Sequence, residues 1–509
     1  MKKIFISSIA ASLLFAVSCQ NDFENSTEDV VVTAGDADFS KYIALGNSLT
    51  SGYRDNALYI DGQNESYPNI VANQMKLAGG GEFIQPLMSD NNGGMVLGSQ
   101  TILGTKLFIE SFANGSPVLK NVAATPTTDV TKKLTGTINN MGVPGAKSFH
   151  LVAPGYGSLA ALATQRSNPY YVRFATSETS SIAGDAAAQR PTFFSLWIGN
   201  NDVLSYATSG GSGIDQKGNT NPATYGSNDI SDPAVVAASI KGVLDAMKAA
   251  GATKGVIGNI PYVTSIPYFT TVPYNPLTPA ALGANLATLN TNLYGPLKQA
   301  LTAFGQGSRI NLLSATSANP VLIKDTSLTN LSAQLTAALT PALGAQTAAA
   351  FGQIFGQARQ ATAEDHVLLT ASSVIATPNA NAPAPANING VSYPLENQYV
   401  LTKTEAALVK TAVDAYNLQI ANLATSYGLA FVNANAKMIE LNSMSGIQFD
   451  GVRYTAKFVT GGTFSLDGVH LTGRGYAVVA NEFLKAINGK YRSNLPMVSP
   501  NSYSGVKFP

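Results

Sequence analysis

Five short apolar segments, separated by stretches with helical periodicity, limit the folds that this chain of 509 residues can adopt. The clearest is residues 192–198 (TFFSLWI), an apolar and aromatic run bounded by Pro191 and Gly199, which predicts a buried strand. The other strands are predicted at residues 42–45, 137–141, 255–260 and 429–432. Because strands alternate with helical patterns along the chain, the sequence favours an α/β layered fold.

The helical segments between these strands have recognisable ends. Thr402 and Glu405 form a capping box at the start of one helix, and Gly428 is suited to end it. Apolar side chains recur at helical spacing in the remaining segments. Helices are predicted at residues 67–78, 233–250 and 402–426, with a final helix ending over residues 483–491.

Three long segments interrupt this alternation and are predicted to be insertions into one domain of residues 38–495. The insertions cover about residues 79–135, 205–230 and 262–400, and a C-terminal tail follows at 496–509. Residues 328–360 are rich in Ala and Leu and predict two helices, broken near Pro341 and Gly344. Helices inserted after a core strand can cap an active site or be structural padding, and the sequence favours neither.

The N-terminus has the pattern of an export signal. Lys2 and Lys3 precede an apolar run over residues 4–17, which is too short for a permanent membrane-spanning helix. Residues 1–18 are therefore predicted to be a signal peptide. The segment FAVSC is similar to a bacterial lipobox, which implies a mature chain that begins at a lipidated Cys19. Ordinary secretory cleavage beside an incidental cysteine is the alternative.

Residues 19–37 are polar and acidic and are predicted to form a flexible tether. Their acidity directly after Cys19 resembles the surface-export signal of Bacteroidetes lipoproteins. The resemblance implies lipid anchoring to the outer membrane of a bacterial cell envelope. The protein can lie on the periplasmic face or on the cell surface, and the sequence does not decide between them. An accessory role in an outer-membrane complex is also conceivable.

Composition excludes several other classes of protein. Charged residues make up 12% of the chain and the formal net charge is +1, so no basic region argues for nucleic-acid binding. Cys19 is the single cysteine, which excludes an intramolecular disulfide. Downstream of the leader, no run of about eighteen apolar residues predicts a transmembrane helix.

Polar residues that suit nucleophilic catalysis follow the predicted strands. Ser48 lies in a Gly-rich turn after the first strand, and Asn201 lies in an Asn-rich turn after residues 192–198. Asp467 precedes His470 by three positions, so the carboxylate can fix the tautomer of the imidazole that activates a serine. Each feature alone is more often a turn, a cap or a surface pair. Their combination, at carboxyl ends of strands, favours a serine hydrolase.

Four blocks of the sequence match the motifs of a known family: residues 46–49 (GNSL), 140–146 (NMGVPGA), 199–202 (GNND) and 467–470 (DGVH). On these blocks the sequence resembles the SGNH hydrolases, also called GDSL esterases and lipases, over about residues 40–490. Asn47 replaces the usual Asp of the first block, and Leu471 follows the histidine where Pro is common. Neither residue is expected to carry chemistry. The chain lacks a Gly-x-Ser-x-Gly elbow, which argues against an α/β-hydrolase.

The resemblance implies a three-layer α/β/α sandwich with a mostly parallel, flavodoxin-like sheet. It implies that Ser48 is the nucleophile, that His470 is the general base and then acid, and that Asp467 orients the histidine. The oxyanion hole would combine the Ser48 N–H, the Gly145 N–H and the Asn201 side chain, with Gly142 competing for the place of Gly145. Asp202 would support the turn at Asn201.

We therefore expect a serine esterase that forms an acyl-enzyme on Ser48, with a preference for lipid-type acyl esters because the Ala/Leu-rich insertion can shelter an acyl chain. A carbohydrate O-deacetylase using the same triad is an alternative, favoured by the many Tyr and Asn residues. A non-catalytic surface lipoprotein that retains the fold is another. His150, His366 and His470 give no metal-ligand pattern, so no metal or cofactor is predicted.

Overall fold

The computed structural model describes residues 31–113, 115–380 and 382–509. Cys19, the predicted signal peptide and most of the predicted tether lie outside these residues. The strands are β1 (Tyr42–Gly46), β2 (Met95–Leu97), β3 (Gln100–Leu103), β4 (Leu107–Ala113), β5 (Ser116–Asn121), β6 (Asn140–Gly142), β7 (Phe193–Trp197), β8 (Lys254–Gly258), β9 (Leu322–Lys324), β10 (Ala358–Gln360), β11 (His366–Val367), β12 (Val400–Leu401), β13 (Ala430–Val432), β14 (Ile447–Phe449) and β15 (Val452–Tyr454).

The α-helices range from one turn to 24 residues. They are α1 (Ser48–Ser51), α2 (Ile60–Asn64), α3 (Tyr67–Lys76), α4 (Pro169–Val172), α5 (Ile182–Ala188), α6 (Asn201–Thr208), α7 (Pro233–Ala249), α8 (Pro267–Thr270), α9 (Pro279–Leu282), α10 (Asn285–Leu289), α11 (Gly295–Ala303), α12 (Ser332–Leu343), α13 (Ala345–Phe355), α14 (Lys403–Ser426), α15 (Ala434–Asn442) and α16 (Gly473–Tyr491). None of the helices within the described residues is long and apolar enough to cross a bilayer.

A five-stranded parallel sheet in the order β13-β8-β7-β1-β6 forms the centre of the molecule. Strands β1 and β7 are buried at every position, as their apolar sequences predict. Helix α16 packs on α3, whereas α14 packs on α7 and α6. The chain is therefore α/β, and this arrangement is compatible with three α/β/α layers.

Local sequence explains where the long helices begin. Glu405 accepts a hydrogen bond from the backbone of Thr402 at 2.7 Å, which confirms the predicted capping box at α14. Asp232 caps α7 by accepting from the N–H groups of Ala234 and Val235. These caps fix the direction of helices whose apolar faces cover the sheet.

Several boundaries differ from the sequence predictions. Residues 201–208 form helix α6, which overlaps the start of the predicted insertion at 205–230. This helix forms because Asp202 favours a helix start and because Val203 and Tyr206 share a buried face. The two helices predicted within residues 328–360 are confirmed as α12 and α13, and the break between them lies at Gly344. Pro341 lies inside α12, and the chain turns at Gly344, which has φ +76°.

The segments at the two ends of the domain are packed against it. Thr33 N donates to Asn494 Oδ1 at 2.6 Å and Asp36 N donates to the Tyr491 carbonyl, so residues 31–37 of the predicted tether lie on the domain. In the C-terminal tail, the Ser504 hydroxyl is bonded to Arg54 at 2.7 Å. Residues 79–135, predicted to be an insertion, contain two β-hairpins, β2–β3 and β4–β5.

The insertion at residues 262–400 contributes a second hydrophobic core. Leu335, Phe355 and Tyr294 are completely buried there, in a cluster separate from the one around the sheet. One contact from this insertion reaches the segment that carries His470, since Tyr268 N donates to the Gly468 carbonyl at 2.9 Å. The insertion is therefore a packed unit of its own and also touches the catalytic candidates.

We expect Leu335→Ala to lower the free energy of unfolding by about 2–5 kcal/mol, because it leaves a cavity in the second core. Leu343→Ala on the same helix is the matched control. Leu343 is 39% exposed, so its loss is expected to cost less than about 0.5 kcal/mol. Denaturant unfolding followed by circular dichroism measures both, and equal losses would contradict a separate core built on Leu335.

Candidate active site

Ser48 is held at the point where β1 turns into α1. Asn47 caps this short helix, and its side-chain oxygen accepts from the Leu49 N–H at 3.0 Å. Gly46 is required just before the turn, because a Cβ there would lie 2.5 Å from the Trp197 carbonyl of the neighbouring strand. The Ser48 hydroxyl is thereby fixed at the carboxyl edge of the sheet, where ligands bind in open α/β sheets.

The structure brings Ser48, His470 and Asp467 into one chain of hydrogen bonds. Ser48 Oγ lies 2.8 Å from His470 Nε2, and His470 Nδ1 lies 2.9 Å from Asp467 Oδ2. The His470 side chain is 15% exposed, so it is accessible from solvent while most of its surface is covered. This geometry suits transfer of the hydroxyl proton to an imidazole that a carboxylate orients.

Asp467 is surrounded by donors. Its Oδ1 accepts from the N–H groups of Val469 and His470, and its Oδ2 also accepts from the Asn56 N–H at 3.0 Å. Burial alone would raise the pKa of Asp467, but attraction to His470 and these hydrogen bonds outweigh burial and hold that pKa well below its usual range. The carboxylate therefore stays ionised at neutral pH.

A strained turn supplies the donor from Asn56. Asp55 and Asn56 both have left-handed backbone angles, at φ +52° and +61°, which non-glycine residues seldom adopt. Asp55 N donates to Ser465 Oγ at 3.0 Å, and Ser465 Oγ in turn donates to Asp467 Oδ1 at 3.1 Å. The turn is therefore linked to both carboxylate oxygens of Asp467, directly to Oδ2 and through Ser465 to Oδ1.

The predicted oxyanion donors lie at the same edge of the sheet. Within the described part of the chain, the N–H groups of Ser48 and Gly145 donate to no protein acceptor. The N–H of Gly142 is occupied by Asn140 Oδ1 at 3.0 Å, which favours Gly145 over Gly142. Gly145 has φ +81°, which favours glycine at this position.

The side-chain amide of Asn201 holds the glycine block in place. Its Nδ2 donates to the Ala146 carbonyl at 2.9 Å, which leaves its second N–H to point elsewhere. Asp202 acts differently from the prediction. Its carboxylate accepts from the backbone and hydroxyl of Ser148, both at 2.8 Å, so it ties the segment after the glycine block to α6. Burial raises the pKa of Asp202, and the bonds from Ser148 oppose that rise.

The two other histidines lie apart from this arrangement. His150 is stacked on Tyr156 with ring centroids 4.2 Å apart, and burial lowers its pKa to about 3. His366 lies in the insertion, where its Nδ1 is 3.3 Å from the Phe269 carbonyl. Groups of three or more side chains suited to hold a metal ion are absent from the described residues.

An apolar cleft opens beside Ser48 and His470. It runs along the carboxyl edge of the sheet between the segment after β8, helix α15 and the first half of α16. We call this space the apolar cleft. Its apolar wall is formed by Leu49, Trp197, Leu204, Pro261, Val263, Ile266, Val432, Ala434, Met438, Leu441, Ile447, Phe464, Val469, Leu471, Val478 and Val479.

The source of this wall was not predicted from the sequence. Among the described residues, none from the Ala/Leu-rich segment 328–360 lines the apolar cleft, so that segment does not shelter the site. Helix α15 supplies much of the wall and was missed, although Asn433 is a good N-cap and accepts from Ala436 N at 3.0 Å. The donors from Asn56 and Ser465 were also missed, because a short loop sequence carries no sign of them.

A scan against protein-family models, a search of curated proteins and a search of solved structures each find no match to this chain.

We expect Asp467→Asn to lower the free energy of unfolding at pH 7, because the ionised carboxylate accepts from His470 Nδ1 and from the N–H groups of Asn56, Val469 and His470. A carboxylate with a lowered pKa in the folded state stabilises the fold above its unfolded-state pKa of about 3.9. The difference between the native chain and the variant should therefore shrink as the pH falls below about 4.

Urea unfolding between about pH 2 and pH 7 measures this difference. Glu364→Gln is the control, because Glu364 has an exposed side chain, and we expect a change below about 0.5 kcal/mol at every pH. A difference for Asp467→Asn that stays constant with pH would contradict the stabilising role of the charge.

Proposed function

We propose that this protein is a serine ester hydrolase of the SGNH, or GDSL, type, with the flavodoxin-like sandwich of that family. The observation that carries the proposal is the continuous path of hydrogen bonds from Ser48 Oγ through both ring nitrogens of His470 to Asp467. Its position at the carboxyl edge of a parallel sheet, beside an apolar cleft, adds support.

In the proposed reaction, Ser48 Oγ attacks the carbonyl carbon of a carboxylic ester. His470 Nε2 takes the hydroxyl proton during the attack, and Asp467 stabilises the imidazolium that forms. The tetrahedral intermediate collapses when the carbon–oxygen bond to the alcohol breaks, and His470 returns the proton to that alcohol. Water, activated by the same histidine, then releases the acid from Ser48.

Three donors are proposed for the oxyanion of this intermediate: the N–H groups of Ser48 and Gly145, and Nδ2 of Asn201. Both backbone N–H groups are without protein acceptors in the described chain. Nδ2 of Asn201 is anchored by the Ala146 carbonyl, next to Gly145. Donors that are fixed before the reaction stabilise the developing charge without reorganisation, and the loss of one typically costs about 10²–10³ in kcat.

The apolar cleft favours an acyl chain over an acetyl group as the acid part of the ester. A deacetylase needs room for two carbons, whereas the wall next to Ser48 continues in aliphatic side chains as far as Leu441 and Ile447. Among the described residues, no Tyr lines this space, and its Asn residues are Asn47, Asn200 and Asn201, which belong to the two turns of the proposed catalytic site. The rest of the wall is mainly apolar, which favours a lipid-type ester over a carbohydrate ester. The complete hydrogen-bonded path argues against a fold retained only for binding.

We also propose attachment to a bacterial envelope membrane through a lipid on Cys19. Residues 31–36, the first of the described chain, run beside Tyr491 and Asn494, and the Asp36 carbonyl accepts from Lys254 at the start of β8. They therefore reach the edge of the sheet where the strands begin. Ser48 lies at the opposite edge, where the strands end.

Hydrolysis of a series of p-nitrophenyl esters, from acetate to dodecanoate, tests the proposed function. We expect the native chain to hydrolyse them and Ser48→Ala to lose at least about 10³-fold in kcat, since the nucleophile is removed.

Ser51→Ala is the matched control on the same helix, and it is expected to retain most of the activity. Ser51 is buried and its hydroxyl donates to the Ser48 carbonyl, not to the reacting groups. Equal rates for the native chain and Ser48→Ala, above the background of the buffer, would overturn the assignment of Ser48 as nucleophile.

A further inference from the structure

We propose that the apolar cleft measures the length of the acyl chain and accepts saturated chains of up to about ten carbons, with α15 and the Lys437–Glu482 ion pair setting the limit. The inference rests on the proposed function in one respect only: the ester carbonyl is taken to lie at Ser48. The inference goes further than the proposed function, because it names the length of the acyl chain and the residues that limit that length.

The course of the cleft follows four neighbouring strands of the sheet. Its wall includes Leu49 just after β1, Trp197 in β7, Pro261 after β8 and Val432 in β13. Parallel strands lie about 4.8 Å apart, so three spacings give about 14 Å from the nucleophile to β13. A saturated chain with C–C bonds of about 1.5 Å advances about 1.3 Å per carbon, so roughly ten carbons fill this length.

The wall beyond the nucleophile offers an extended acyl chain mainly aliphatic contacts. Val263 and Ile266 come from the segment after β8, Met438 from α15, and Val478 and Val479 from α16. Burial of each further methylene against such side chains is expected to tighten binding by about fourfold. Affinity should therefore rise steadily with length while the chain remains inside the cleft.

Charged side chains stand where the cleft reaches α15. Lys437 and Glu482 both belong to the lining, and Lys437 Nζ is 3.3 Å from Glu482 and 2.7 Å from Glu440. A methyl group placed against this ion pair would displace water from charged groups without gaining apolar contact. Carbons beyond about the tenth are therefore expected to add no affinity.

Binding of an acyl chain to the cleft can be followed by the fluorescence of a tryptophan in its wall. Trp197 is the only tryptophan, and it lines the apolar cleft between Ser48 and the far end. Saturated fatty acids of six to fourteen carbons can be titrated into the full-length Ser48→Ala chain, with Trp197 fluorescence as the signal. We expect the Kd to fall about fourfold per carbon up to about ten carbons and then to level off.

Two variants on α15 test which residues set the chain length at which the Kd levels off. Ala434→Phe puts a larger side chain into the cleft and is expected to move the plateau to chains about two to three carbons shorter. Met438→Ala removes wall and is expected to move the plateau to longer chains. Their matched controls on the same helix are Ala436→Phe and Ile439→Ala, which change exposed residues outside the lining.

The expected result is a plateau that moves with Ala434 and Met438 but not with Ala436 and Ile439. A Kd that is independent of chain length, one that keeps falling through fourteen carbons, or control variants that shift the plateau equally would each overturn the inference. Binding with the expected plateau, without hydrolysis of any ester, would support the length limit and reject the proposed function. Ester hydrolysis without the plateau would support the proposed function and reject the length limit.

Discussion

The hydrogen bond between Ser48 Oγ and His470 Nε2 joins residues that are 422 positions apart in the chain. Its length of 2.8 Å depends on β1, which ends in a capped turn at Ser48, and on the loop before α16, which is fixed through Asp467. Parallel strands make this meeting possible, because they bring the segments that follow them to one edge of the sheet. Asp467 orients the histidine of this contact, and the apolar cleft lies beside it.

Much of the site could be predicted because the combination of its residue types is specific to one kind of chemistry. A serine after a strand, an Asn-rich turn and an Asp-x-x-His segment each have an ordinary explanation, but together they limit the possibilities to a few. The occupation of the Gly142 N–H by Asn140 Oδ1 was not predicted, although this hydrogen bond is local. The lack of an acceptor for the Gly145 N–H within the described chain could not be predicted, since it depends on the tertiary fold. The left-handed turn at Asp55 and Asn56 was missed, although local backbone hydrogen bonds between Arg54 and Ala57 close it and Asp and Asn adopt such angles more often than other non-glycine residues.

The large insertion shows the limit of composition as a guide. Its Ala/Leu-rich helices have the apolar character expected of a lid, yet they bury their side chains in a second core around Leu335 and Phe355. The surface beside Ser48 comes instead from α15 and α16, whose apolar residues also belong to ordinary amphipathic helices. Periodicity identifies a buried face, but only the fold decides whether protein or a substrate covers it.

Labelling with a fluorophosphonate tests the central claim most directly, because this reagent reacts with serines that a neighbouring base activates. Mass spectrometry of the digested protein locates the adduct. We predict one phosphonyl group on Ser48 in the native chain, and labelling at least about 10³-fold slower in His470→Ala, since that variant lacks the base 2.8 Å from Oγ. Label on another serine, or on Ser48 at the same rate in both chains, would contradict the account.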